Sequence, residues 1–136
     1  MPFLFLSQEP QASPANVMAT ALSSTEILVT WDTVPFLEQN GVITSYQVFY
    51  QPLQISDGTS RTMTVTEKMA FLGGLEEYVE YNISVRAYTS VGAGPYSDGI
   101  VERTLEDGIK CDYLVCALIY YAMCHSSSQS SLQCHG

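Results

Sequence analysis

Cysteine and basic residues are scarce in most of this chain of 136 residues. The first 110 residues contain no cysteine, which excludes the class of β-domains whose two sheets are joined by a disulfide. The same absence leaves open whether the chain works in an oxidising or a reducing compartment. Five lysines and arginines stand against fourteen acidic residues, giving a formal net charge of −9. This charge opposes binding to nucleic acid or to an anionic membrane surface.

Histidine and long hydrophobic runs are also scarce. Both histidines lie in the last 12 residues, and residues 1–107 contain no nucleophile motif, phosphate-binding loop or metal-ligand spacing. We therefore expect no enzyme activity, no cofactor and no metal site. The apolar run over 113–124 has twelve residues, whereas a membrane-spanning helix needs about 20. The apolar start over 2–6 is too short for a signal peptide and has no basic residue before it.

The charge composition divides the chain at one point. Residues 1–107 hold thirteen acidic and four basic residues, whereas residues 108–136 hold one of each. We expect an N-terminal extension over 1–9, one domain over 10–106 and a poorly ordered tail over 107–136.

The tail contains every cysteine and histidine of the chain, at Cys111, Cys116, Cys124, His125, Cys134 and His135. The two Cys-His pairs could bind zinc, but their spacing differs from the usual one. Disulfides are the alternative if the chain is secreted. Residues 126–136 are mostly serine and glutamine, a composition that favours disorder over both.

The clearest pattern in the chain is an alternation within residues 75–97. Apolar side chains occupy every second position, at Tyr81, Ile83, Val85 and Ala87. A period of two predicts a β-strand with one buried face. A loop rich in glycine and proline follows this strand.

Six further segments have similar patterns or are bounded by turn signals such as Asn40-Gly41. The predicted strands cover 17–21, 27–31, 43–51, 61–66, 70–72, 79–89 and 100–104. Seven short strands without a helical period predict an all-β sandwich of two antiparallel sheets. Leu28 falls on the outward face of its strand, so we expect it to be partly exposed or covered by a neighbour.

One ordered set of residues is specific in its spacing: Pro14, Val17, Trp31, Asn40, Gly41, Tyr46, Val48, Tyr50, Leu72, Leu75, Tyr81, Val85, Ala87, Gly92, Gly94 and Ser97. Over residues 10–106 this set resembles a fibronectin type III domain. The resemblance implies a seven-stranded immunoglobulin-like β-sandwich. The family often has Pro-Gly-Thr where this chain has Glu77, Tyr78 and Val79, so we expect a looser corner here.

The predicted structural core includes Trp31, Tyr46, Leu75 and Tyr81. Trp31 alternates with apolar residues, so a position between the sheets is favoured over contact with a ligand. Tyr81 resembles the corner tyrosine of the family, which implies a hydrogen bond between its hydroxyl and the backbone near Leu75.

The predicted partner surface consists of Phe49, Arg86, Tyr88, Val91 and Tyr96. Arg86 and Tyr88 point outward beside Phe49 of the third strand, and these residue types are enriched in interfaces. Val91 and Tyr96 belong to the loop over 90–97, a second kind of recognition surface together with the loop over 35–41. Ordinary cross-strand pairing is the alternative interpretation.

One motif for covalent modification lies in the long strand. Asn82-Ile83-Ser84 matches the acceptor pattern for N-glycosylation. Asn82 falls on the outward face, so we expect space for a glycan if the chain is secreted.

The family resemblance also carries the functional expectation. It implies a non-catalytic protein-interaction or spacer module of an extracellular receptor or cell-adhesion protein, similar to repeats of receptor tyrosine phosphatases. The implied partners are another protein or neighbouring fibronectin type III repeats. Integrin binding through Arg-Gly-Asp is not supported, since that tripeptide is absent. The alternatives are an intracellular structural module of a filament protein and an accessory module of a secreted enzyme.

Overall fold

The computed structural model describes residues 8–53 and 59–108. Predictions for the tail beyond Gly108, including those for its cysteines and histidines, lie outside the described residues. The strands are β1 (Ala15–Ala21), β2 (Ile27–Asp32), β3 (Ser45–Pro52), β4 (Arg61–Val65), β5 (Met69–Leu72), β6 (Glu80–Tyr88) and β7 (Ile100–Arg103).

These strands form two antiparallel sheets. One sheet has the order β1-β2-β5 and the other β4-β3-β6-β7. The prediction of a seven-stranded, all-β sandwich is confirmed. One short 3-10 helix, Phe36–Glu38, lies in the loop that leads from β2 to β3.

The alternation in β3 and β6 places apolar side chains between the sheets. The register pairs Tyr46 with Ala87 and Val48 with Val85, and all four residues are buried. Facing them from β2, Trp31 packs edge-on against Tyr46, with 5.4 Å between ring centroids. Trp31 is only 3% exposed. Its large ring therefore contributes apolar burial to the core rather than a surface for a ligand.

Leu28 lies on the outer face of the three-stranded sheet, where residues of the two neighbouring strands cover it. This residue is 4% exposed, and it pairs with Phe71 of β5 and Thr20 of β1. Of the two outcomes expected for Leu28, covering by neighbours is therefore the one observed. Cross-strand neighbours on one face of a sheet lie close enough to exclude water from the side chain between them.

The corner before β6 is held by two hydroxyl groups. The backbone N–H of Glu76 donates to the Tyr81 hydroxyl at 3.0 Å. The Thr104 hydroxyl accepts from the N–H of Val79 at 2.9 Å and donates to the carbonyl of Glu76 at 2.7 Å. Thr104, which follows β7 and is 1% exposed, was not identified from the sequence because its partners are more than 20 residues away.

Tyr78 occupies an unusual backbone conformation at the same corner. Its φ of 54° lies in the left-handed region that favours glycine, and glycine is what the family often has at this position. Its ring lies under the Arg103 guanidinium, 4.5 Å from centroid to Cζ. Arg103 also donates to the Tyr78 carbonyl at 3.3 Å. These contacts hold the corner in place despite the substitution.

Residues 8–14, which precede β1 and which we call the N-terminal segment, form hydrogen bonds with two loops at one end of the sandwich. The N–H of Gln8 donates to the Asn40 carbonyl at 2.7 Å, and the Thr89 hydroxyl donates to the Gln8 carbonyl at 2.6 Å. The Asn40 amide donates to the Glu9 carbonyl at 3.2 Å. Residues 8 and 9, which the sequence analysis assigns to an extension, thus make specific contacts with the domain.

Candidate protein-interaction surface

The outer face of the four-stranded sheet brings polar and aromatic side chains together. β3 contributes Gln47 and Phe49, and β6 contributes Arg86 and Tyr88. The register pairs Gln47 directly with Arg86, so these two side chains are neighbours on the face. Tyr96, from the loop after β6, completes the group. We call these five residues the aromatic–arginine patch.

The Gln47 side-chain oxygen is the centre of this patch. It accepts hydrogen bonds from Arg86 Nε at 2.9 Å, from the Tyr96 hydroxyl at 2.9 Å and from the Tyr88 hydroxyl at 3.3 Å. Three donors, two from β6 and one from the loop that follows it, therefore converge on one oxygen atom of β3. This network restricts the rotamers of all four side chains.

Arg86 lies against the aromatic rings of the patch. Its Cζ atom is 4.4 Å from the Tyr96 ring centroid and 5.3 Å from the Tyr88 ring centroid. Its Nη2 atom donates to the Tyr88 hydroxyl at 3.1 Å. Phe49 adds an edge-on contact with Tyr96, at 6.0 Å between centroids. A guanidinium held over aromatic faces keeps its charge while its stem is buried.

Arg86 has no carboxylate partner within residues 8–53 and 59–108, where the salt bridge found joins Arg103 to Glu80 at 3.6 Å. Arg86 and its neighbours in the patch remain partly accessible, and Tyr96 is 37% exposed. The patch therefore offers a fixed, uncompensated positive charge on a domain that is otherwise strongly acidic.

The backbone of the loop holds Tyr96 in position. The Gly94 N–H donates to the Ala87 carbonyl at 2.8 Å. Ser97 bonds β6 twice, by its N–H to the Val85 carbonyl at 2.8 Å and by its hydroxyl, which accepts from the Val85 N–H at 3.0 Å. Tyr96 is therefore fixed between two points anchored on β6.

Val91 lies apart from the patch. It is 55% exposed. Its N–H donates to the Thr89 hydroxyl at 3.3 Å, and that hydroxyl bonds the carbonyl of Gln8 in the N-terminal segment. Phe36 and Leu37 are 83% and 87% exposed in the loop that also contacts this segment. Of the predicted partner surface, the structure brings together Phe49, Arg86, Tyr88 and Tyr96.

Gln47 is the member of the patch whose role sequence analysis missed. Alternation places it outward beside Phe49, but nothing in the alternation shows that three donors meet on its oxygen. Only the register between β3 and β6 and the path of a distant loop do so.

In the described part of the chain, no group of three or more His, Cys, Asp or Glu side chains could hold a metal ion, and no helix is long and apolar enough to cross a membrane.

The architecture defines the class of protein: a two-sheet β-sandwich whose tyrosine corner precedes its longest strand. The family model for the fibronectin type III domain matches residues 12–103. The chain belongs to the fibronectin type III family, as the sequence resemblance predicted.

Relatives in longer proteins support the same assignment. Protein sidekick-1 of Gallus gallus is 44% identical over an aligned length of 102, and the match covers 72% of this chain and 5% of that protein. Receptor-type tyrosine-protein phosphatase F of Homo sapiens is 39% identical over 105 residues, with the same coverage of both chains. The domain is thus homologous to modules of adhesion and receptor proteins. The match spans 5% of sidekick-1 and of the phosphatase, and 9% of contactin-3 of Mus musculus.

Solved structures agree with the fold. The third fibronectin III domain of human KIAA0343 protein superposes with a TM-score of 0.69 at 25% identity, covering 82% of this chain and 95% of that one. The FN5 domain of Drosophila Lar gives a TM-score of 0.56 at 29% identity, covering 71% and 97%. The matched relatives align only through the fibronectin type III region.

Proposed function

We propose that this chain is a non-catalytic module of an extracellular receptor or adhesion protein and binds another protein through the aromatic–arginine patch. The observation that carries the proposal is Arg86, whose guanidinium is aligned by Gln47 and Tyr96 and has no carboxylate partner among the described residues. The homology to receptor and adhesion proteins supports the extracellular location.

The order of the patch favours affinity. Binding normally costs about 0.5–1.5 kcal/mol for each flexible side chain that is immobilised. The hydrogen bonds to Gln47 have already fixed Arg86, Tyr88 and Tyr96, so this cost is reduced. Tyrosine and arginine are also the residue types that most often dominate interface energies.

The chemistry of the patch also limits its partner. A guanidinium forms its strongest hydrogen bonds with carboxylates, with two parallel bonds where the geometry allows. The matching surface should therefore present an aspartate or glutamate, with apolar groups to cover Phe49 and Tyr96.

Binding of the multimerised chain to an array of cell-surface ectodomains tests this proposal. We expect Arg86→Ala to weaken binding at least tenfold, corresponding to about 1.4 kcal/mol. Arg103→Ala is the matched control, since Arg103 also stacks on a tyrosine and carries the same charge but lies outside the patch. The control should change affinity less than about twofold, the difference expected of a charge outside the contact.

Equal losses in the two variants would show that net charge, and not the patch, controls binding. Absence of any binding ectodomain would also contradict the proposal. Circular dichroism and thermal unfolding of both variants establish that the comparison is made between folded domains.

A further inference from the structure

We propose that Asn82 carries an N-linked glycan on the outer face of the four-stranded sheet. Asn82-Ile83-Ser84 is the only Asn-X-Ser/Thr triplet in the chain. Ile83 is completely buried, and alternation along β6 therefore turns the Asn82 side chain away from the core. Asn82 itself is partly exposed.

Gly99 provides the space beside this side chain. A Cβ atom at position 99 would overlap the Asn82 side-chain oxygen and lie 3.3 Å from its nitrogen. Because glycine has no side chain, the amide rests over an exposed stretch of backbone. Within the described residues, the side-chain amide of Asn82 forms no hydrogen bond. The nitrogen that would bear the sugar is therefore not needed to hold the fold.

The remaining surroundings also suit a bulky modification. Val101, which pairs with Asn82 on β7, is half exposed. Ser84 is buried in the folded domain, but the glycan is transferred while the chain is still extended, when its hydroxyl is accessible. The fold decides only whether the finished glycan can be accommodated.

The position of the glycan relative to the aromatic–arginine patch has a consequence that rests on the proposed function. Asn82 and Arg86 lie on the same face of β6, four residues or about 13 Å apart. The pair Ser84 and Phe49 lies between them. A glycan at Asn82 would therefore border the patch on one side and leave Arg86 and Tyr96 open to a partner.

The test is expression of the full chain behind a secretion signal in mammalian cells, with digestion of the secreted and cell-retained pools by peptide N-glycosidase. We expect both pools of the natural sequence to lose the mass of one glycan, and peptide mass spectrometry to find aspartate at position 82. Ser84→Thr keeps the triplet and should keep the glycan. Ser84→Ala and Asn82→Gln should abolish it.

A secreted chain without a glycan would overturn the proposal, and so would a glycan found in the cell-retained pool alone, since the folded domain would then exclude it. The secretion signal makes this result independent of where the natural protein resides. An occupied secreted chain together with unmodified natural protein would contradict the extracellular location, and the acceptor site would stand.

Discussion

At the scale of single residues, Tyr78 is a large side chain in a backbone conformation that favours glycine. Its φ of 54° places a large side chain in a conformation that costs an L-residue roughly 1–2 kcal/mol. The stacked Arg103 guanidinium offsets part of that cost, by about 0.5–1 kcal/mol for a pair at an exposed site.

Two substitutions at this position separate the backbone from the ring. Tyr78→Ala and Tyr78→Gly both remove the ring, but only glycine also relieves the backbone. We expect the glycine variant to be about 1 kcal/mol more stable than the alanine variant, as measured by equilibrium unfolding in urea. Equal stability of the two variants, or a more stable alanine variant, would mean that position 78 is not strained.

At the scale of elements, the N-terminal segment packs against the loop after β6 where Pro10 closely approaches Gly94. Gly94 is buried, and a Cβ atom there would lie 2.8 Å from both the Cβ and the carbonyl oxygen of Pro10. Such a contact cannot be accommodated without moving backbone. The same loop anchors Tyr96 of the aromatic–arginine patch, so this contact links the N-terminal segment to the candidate site.

We therefore expect Gly94→Ala to lower the free energy of unfolding by about 1–3 kcal/mol, the usual range for overpacking. Hydrogen exchange of the backbone amides of Gln8 and Gln11 should also become faster, because displacing Pro10 would weaken the bonds from these N–H groups to carbonyls of the loop between β2 and β3. Gly92→Ala is the control, because its Cβ would meet only the Glu9 carboxylate at an ordinary 3.5 Å. Similar effects of the two substitutions would argue against a specific contact with Pro10.

The elements also show how far sequence reasoning reaches. Alternation in β3 and β6 predicted which side chains face the core, because a strand has a period of two and one face must be buried. It likewise predicted that Phe49, Arg86 and Tyr88 face outward. It could not predict that three donors meet on the Gln47 side-chain oxygen, or that Gly94 approaches Pro10, because these contacts connect residues 39 to 84 positions apart.

At the scale of the whole molecule, the two sheets share one core made from residues of the described part of the chain. The sandwich could be predicted from the sequence because each strand is marked by alternating apolar residues or by turn signals at its ends. The domain ends were harder to predict, because they are fixed by single hydrogen bonds and not by periodicity. At the C-terminal side, for instance, the Asp107 N–H donates to the Glu77 carboxylate at 2.9 Å.

These contacts make the choice of boundary measurable. A protein of residues 8–108 retains the bonds of Gln8, Glu9 and Asp107, whereas one of residues 10–106 loses them. Each such bond contributes about 0.5–1.5 kcal/mol, and exposure at the termini reduces that value. We expect the shorter protein to unfold cooperatively but to be about 1–3 kcal/mol less stable in urea.

Residues 8–108 contain no cysteine, so the unfolding midpoint of the longer protein should be the same with and without a reductant. It should also match that of the full chain under reducing conditions, because residues 8–108 contain all seven strands of the two sheets described above. A lower midpoint for residues 8–108 than for the full chain would show that the tail packs on the domain. Equal stability of the proteins of residues 8–108 and 10–106 would show that the contacts of Gln8 and Asp107 are too exposed to stabilise the domain. The domain boundaries at residues 10 and 106 that the sequence predicts would then be sufficient.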